Sequence, residues 1–123
     1  MPEPRTPSGL APGAVAWASL EPVRGHEQGG HRPVLVVASA GYLDAVSTLA
    51  LVVPVTTTDR GWPNHVPVVG NTGLRSASWA MTEQVRTISR HQIDRVSGAV
   101  SGVCLGEIRV WLADFLDLYV EQR

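Results

Sequence analysis

The sequence has no lysine: all 10 of its basic residues are arginine. It has a single cysteine, Cys104, so neither an internal disulfide nor a cysteine-rich zinc site can form. A reduced, cytoplasmic setting is therefore expected. Charge of one sign is also missing. The formal net charge is −1, which argues against a generic nucleic-acid coat protein. The longest apolar runs, Val34–Ala40 and Leu49–Val55, are far too short to cross a bilayer. Met1–Pro12 lacks both the basic start and the apolar stretch of a secretion signal.

What is present suits one packed domain. The chain has 123 residues, 44% of them hydrophobic and 17% charged, which leaves room for one core and not two. The charges are unevenly spread. From Glu107 onward, Glu107, Asp114, Asp117 and Glu121 oppose Arg109 and Arg123, a net −2 that leaves +1 on the rest. An anion site should therefore lie away from the C-terminal segment. Arginine is suited to such a site because its planar fork of donors matches phosphate and stays charged.

Residues 1–12 hold four prolines and a glycine and read as a flexible tail, with a single domain over 13–123. A first strand is expected over Ala14–Ser19, then a polar, glycine-containing loop over Glu21–His31. Arg32–Ser39 reads as a buried strand with Pro33 at its start, where a missing N–H is tolerated. Helical turns over Ala40–Ser47 lead to a second β-rich run, Leu49–Thr56. Shorter strands are expected at His65–Val69 and Arg95–Val100. Ala77–Met81 and Gln84–Ile88 read as a strand pair or one bent strand. Ser101 can cap a last helix whose face is Leu105, Ile108, Leu112, Phe115 and Tyr119. Several short strands and one terminal helix, without repeats, fit a small bent β-barrel with an appended helix, mainly β within the α+β class.

Two eight-residue runs, 32–39 and 49–56, carry the chemical argument. Paired antiparallel without slip, residue i faces residue 88 − i, so Arg32 lies opposite Thr56. Directly opposed side chains are about 4.5–5.5 Å apart at Cβ, close enough for one phosphate to meet both. The competing reading is a solvated strand-end arginine and a threonine in an ordinary β position.

Other candidates stay open in the same way. The run R-G-H-E-Q-G-G-H-R (Arg24–Arg32) is dense in polar groups, and its glycines let a ligand approach the backbone. His26 and His31 can move protons or simply sit in solvent. Trp62, beside Pro63, suits base stacking or a hydrophobic clamp. Gln84 can read a base edge or sit idle on an edge strand. The four histidines, His26, His31, His65 and His91, lack metal-ligand spacing, so no metal and no cofactor is expected. Trp111, Leu112 and Phe115 read as core.

In order and spacing, four blocks resemble the MazF/PemK family of toxin endoribonucleases. They are R-G-H-E-Q-G-G-H-R-P-V-L-V-V (Arg24–Val37), V-V-P-V-T-T-T (Val52–Thr58), R-G-W-P-N-H-V (Arg60–Val66) and E-Q-V-R-T-I (Glu83–Ile88). The likeness runs from about Gly13 to Leu118. It implies an SH3-like barrel of the PemK/CcdB type, a homodimer and metal-independent cleavage of single-stranded RNA. It also implies a MazE-like antitoxin whose acidic, apolar C-terminal segment occupies the RNA groove. The family's catalytic arginine falls on Arg32 and its catalytic threonine on Thr56, with the loop glutamate on Glu27 and the P-x-H-V histidine on His65. RNA contacts are expected from Arg24, His26, Gln28, His31, Thr57, Arg60, Trp62, Gln84 and Arg86. The chain departs from the family pattern at Ala14, where an acidic residue is usual. Two rivals share the fold class: a gyrase-inhibiting toxin of the CcdB type and a non-catalytic SH3-like binding module.

Overall fold

The computed structural model describes residues 8–20 and 30–118. Its elements run β1 (Ala14–Ser19), β2 (His31–Val36), α1 (Ala40–Ala45), β3 (Leu49–Thr56), β4 (His65–Pro67), β5 (Trp79–Met81), β6 (Arg86–Ser89), β7 (Ile93–Ala99) and α2 (Gly102–Phe115). Single 3-10 turns at Thr82–Gln84 and Arg90–Gln92 flank β6. All strand pairings are antiparallel, in the order β4-β5-β3-β2-β1-β7, with β6 also on β3. The barrel expected from the sequence is thus a bent, open sheet among the described residues: β7 pairs with β1 but does not meet β4 to close the ring.

β3 organises the sheet. On one edge it pairs with β2, while its other edge is shared by β6 and β5. The pairing shifts by three residues between Val55↔Ala80 and Val52↔Arg86, the length of the intervening 3-10 turn. Residues 77–88, expected as a strand pair or one bent strand, are therefore two short strands that pair with β3 and not with each other. The interruption faces Val53 and Pro54, and Pro54 has no N–H to donate to that ladder.

Alternate residues of β2 and β3 enter two apolar clusters. Val34, Val36, Ala50 and Val52 join one, with Ala14, Ala16 and Ala18 of β1. Leu35, Val37, Val53 and Val55 join the other, which α2 covers with Cys104 and Ile108. Burial on both faces explains why these strands read as unbroken apolar runs rather than alternating ones. Leu10 packs against the first cluster, so the chain meets the core before residue 13.

Ser101 caps α2 as expected, its hydroxyl accepting from the Cys104 N–H at 3.2 Å. The buried seam differs from the expected one. Cys104 and Ile108 are its centre, with Leu105, Trp111 and Leu112 beside them, and the cluster ends at Leu112. Phe115, read as core, is 45% exposed and touches the ring of Trp111 at 6.1 Å; Tyr119 lies outside the described residues. Burial pushes the Cys104 thiol up in pKa, with the Glu107 charge adding to the rise and a backbone hydrogen bond at Val69 opposing it.

One buried charge holds the α1 side of the sheet. Arg90 is 5% exposed, and its guanidinium donates to the carbonyls of Leu43, Val46 and Leu49. These include carbonyls at the end of α1 that the helix cannot satisfy itself. Arg90→Ala should lower stability by about 3 kcal/mol, because several buried carbonyls lose their donor at once. Urea unfolding, followed by circular dichroism, checks this.

Candidate active site

The β2–β3 register puts the two principal candidates together. Val34↔Pro54, Leu35↔Val53 and Val36↔Val52 are the paired residues, so residue i faces 88 − i, as the two equal runs predicted. The ladder ends at Val34↔Pro54; continued two residues further, the same register sets Arg32 opposite Thr56. On its other side Arg32 lies opposite Ala18 of β1.

Both residues line one cleft of about 860 Å³. Arg60, Arg75 and Arg95 line it too, and among the described residues no aspartate or glutamate does. Four of the chain's 10 arginines therefore face one cavity in a molecule of net charge −1. Thr57, Thr58, Ser76 and Ser78 add hydroxyls to the lining.

Thr56 is prepared as a donor. It is 8% exposed, and its Oγ1 accepts from the Thr58 N–H at 3.1 Å. With that oxygen already accepting, the hydroxyl hydrogen is available to a ligand oxygen.

The other expected site residues divide into three sets. Arg60 and Thr57 line the cleft. His31 stands at its edge, stacked on the cleft-lining Trp17 at 5.7 Å and bonded through Nε2 to Asp94. His65, Trp62, Gln84 and Arg86 do not line it. Arg24, His26, Glu27 and Gln28 lie outside the described residues.

His65, a candidate base, is buried and lies outside the cleft lining. It is 4% exposed, and its Nε2 lies 2.9 and 3.1 Å from the two carboxylate oxygens of Glu83. Asn64 donates to the same carboxylate at 2.9 Å, and the Thr82 hydroxyl donates to the Asn64 carbonyl at 2.7 Å. The Trp62 ring leans on His65 at 4.8 Å, and the Arg60 guanidinium lies 5.8 Å from the Trp62 ring. This network ties the loop carrying Arg60 to the 3-10 turn at Thr82–Gln84. Gln84 itself turns inward, donating weakly to Met81 Sδ at 3.6 Å.

Sequence reasoning missed Trp17, Arg75 and Arg95. Trp17 faces Arg95 across β1–β7 and Pro33 across β1–β2, forming one row over three strands. Register shifts on both sides of the Ala16–Trp17 pair bend β1 here. Regular alternation cannot foresee such irregularities.

A family model of PemK-like, MazF-like toxins of type II toxin–antitoxin systems matches residues 11–116. The chain belongs to this family. It is 32% identical over 77 residues to the endoribonuclease toxin MazF of Escherichia coli K12, an alignment that spans 63% of this chain and 66% of that protein, just under two thirds. It is 31% identical over 111 residues to the endoribonuclease PemK of E. coli, covering 85% of this chain and 83% of that one. The crystal structure of MazF from Deinococcus radiodurans superposes with a TM-score of 0.76 at 28% identity, over 87% of this chain and 96% of that one. A MazE–MazF structure from the same organism gives 0.71 at 26% identity, over 94% and 99%. The family match spans β1 through α2, so the whole sheet and helix described above are its fold.

The tie between the Arg60 loop and the 3-10 turn can be tested by itself. Glu83→Ala should cost about 2 kcal/mol, since the bonds from Asn64 and His65 lose their acceptor. It should also speed proteolytic cleavage within residues 58–64 more than elsewhere, read by limited proteolysis and mass spectrometry.

Proposed function

We propose that this chain is a metal-independent endoribonuclease toxin that cuts single-stranded RNA at short motifs. The products would carry 2′,3′-cyclic phosphate and 5′-hydroxyl ends. The observation that carries this reading is that Arg32 and Thr56 line one cleft together with three further arginines and, among the described residues, no carboxylate. Family membership and the named endoribonuclease relatives support it.

The chemistry needs no added nucleophile. The RNA's own 2′-oxygen attacks the adjacent phosphorus; the new O2′–P bond forms as the P–O5′ bond breaks. A base takes the 2′-hydroxyl proton, and the departing 5′-oxygen takes one up. Between these events the phosphorane carries more negative charge than the ground state, and preorganised donors are worth most there. Arg32 offers forked, charge-assisted donors and Thr56 a single O–H donor. Arginine, with a pKa of about 12.5 or above, is a poor base near neutrality. Arg32 thus stabilises charge and passes a proton to the leaving oxygen late. Glu27 is the base in this reading, on the strength of the family resemblance; His65 is engaged by Glu83 away from the cleft and positions the Arg60 loop.

The rest of the proposal follows the family. The toxin works as a homodimer in the cytoplasm, and a cognate MazE-like antitoxin silences it by laying an acidic segment along the arginine-lined cleft. MazE–MazF structures among the relatives support that partner. No helix among the described residues is long and apolar enough to cross a membrane.

Incubation of the chain with mixed-sequence RNA in EDTA, followed by end-group analysis, tests the reaction. Cuts with cyclic phosphate and 5′-hydroxyl ends are expected, and a deoxy substitution at a cut site should block cutting there. Arg32→Ala should lower kcat by a hundredfold or more, roughly the loss seen when one such charge-stabilising donor is removed, with RNA affinity falling less. Unimpaired turnover would remove Arg32 from the mechanism.

A further inference from the structure

The far wall of the cleft has a use that the cleaved phosphate does not explain. Arg95 lies on β7 and Arg32 on β2, with β1 between them, so their backbones are two strand spacings apart, roughly 10 Å. A single phosphate held by Arg32 and Thr56 leaves the Arg95 side of the cleft without an anion.

That side is built rigidly. The Arg95 guanidinium lies over the Trp17 ring, with Cζ 5.3 Å from its centroid. A cation–π contact uses the face of the guanidinium and leaves its N–H donors in the plane. Trp17 is held in turn by the His31 ring, and Asp94 is engaged by His31 rather than by Arg95. Among the described residues, neither Arg75 nor Arg95 pairs with a carboxylate.

Arg75 is set beside β7 by the loop that precedes it. Gly73 has φ +75, and a Cβ there would meet the Ser97 carbonyl oxygen at 2.6 Å. The Ser97 hydroxyl donates to the Thr72 carbonyl at 2.8 Å, and the Ala99 N–H donates to that of Asn71 at 3.0 Å. The strand that carries Arg95 thus also fixes the loop that carries Arg75.

We propose that Arg75 and Arg95, with Trp17 beneath Arg95, form a second anion subsite that holds a phosphodiester flanking the one cleaved. The inference rests on the ribonuclease reading and extends it. Strand capture at this subsite sets substrate affinity and the position of the cut, and takes no part in bond breaking.

The test uses a cut site mapped with the wild-type chain. Short RNA oligomers containing it carry one uncharged methylphosphonate at each flanking position in turn. For the wild type, neutralising one particular flanking phosphate should raise KM on the order of tenfold, the scale of one charge-assisted contact, with kcat unchanged. The same substitution should have no further effect in Arg95→Ala. With an oligomer made uncleavable by a 2′-deoxy sugar at the cut, the slope of log affinity against log salt should shrink by about 0.7 for each arginine removed. Arg95→Lys keeps the charge and should restore the slope. Both side chains are exposed, and thermal melts check that the variants fold. Unchanged slopes and KM in Arg75→Ala and Arg95→Ala, beside normal wild-type cleavage, would overturn the subsite alone. A fall in kcat without a rise in KM would overturn it too. Failure of the wild type to cut any RNA would instead overturn the ribonuclease reading and this subsite with it.

Discussion

The antiparallel register between β2 and β3 is the constraint on which the site depends. A slip of one strand by one residue would send its side chains to the opposite face. Here a slip of β2 would break two things at once. Val34 and Val36 would leave one apolar cluster for the other, and the register that sets Arg32 toward Thr56 would be lost. The burial that fixes the register therefore also fixes the chemistry. Burying a valine or leucine side chain contributes about 1.5–3 kcal/mol, and several such side chains oppose any slip. Arg32 and Thr56 line one cleft at the strand ends because the apolar groups behind them hold the register.

Charge follows the same logic of local placement. The molecule as a whole is nearly neutral, so its net charge offers no long-range attraction for a polyanion. The cleft does: its arginines come from four separate segments, at 32, 60, 75 and 95, and the described carboxylates near them in sequence have other partners. Asp94 holds His31, and Asp59 accepts from the Gly61 N–H at 2.9 Å. Glu83, close to the Arg60 loop, is engaged by Asn64 and His65. A low-dielectric cleft lined by one sign of charge focuses its field on the ligand.

The legible parts of the structure were those governed by short-range pattern. β1 and β3 have the bounds that their runs predict, and Ser101 caps α2. β2 does not: it runs over His31–Val36 rather than 32–39, yet it keeps the expected register with β3 at Val34↔Pro54, Leu35↔Val53 and Val36↔Val52. The rest depended on contacts across long stretches of chain. Nothing near Trp17 in the sequence announces Arg95, which reaches it only because β7 returns to the free edge of β1 through an irregular ladder. His65 and Glu83 are 18 residues apart and meet only because β4 and β5 pair. Closure of the sheet into a barrel is likewise a property of its two edges together, and no single strand carries that information.

The proposed reaction requires Arg32 and Thr56 to act together on one phosphate. A double-mutant cycle on the single-turnover cleavage rate tests it most directly, using Arg32→Ala, Thr56→Val and the pair combined. Groups acting as a unit on one charge are strongly non-additive. The double variant should therefore cleave little more slowly than the worse single variant. Losses that multiply would show two independent residues in separate places, and would rule out joint action on one phosphate.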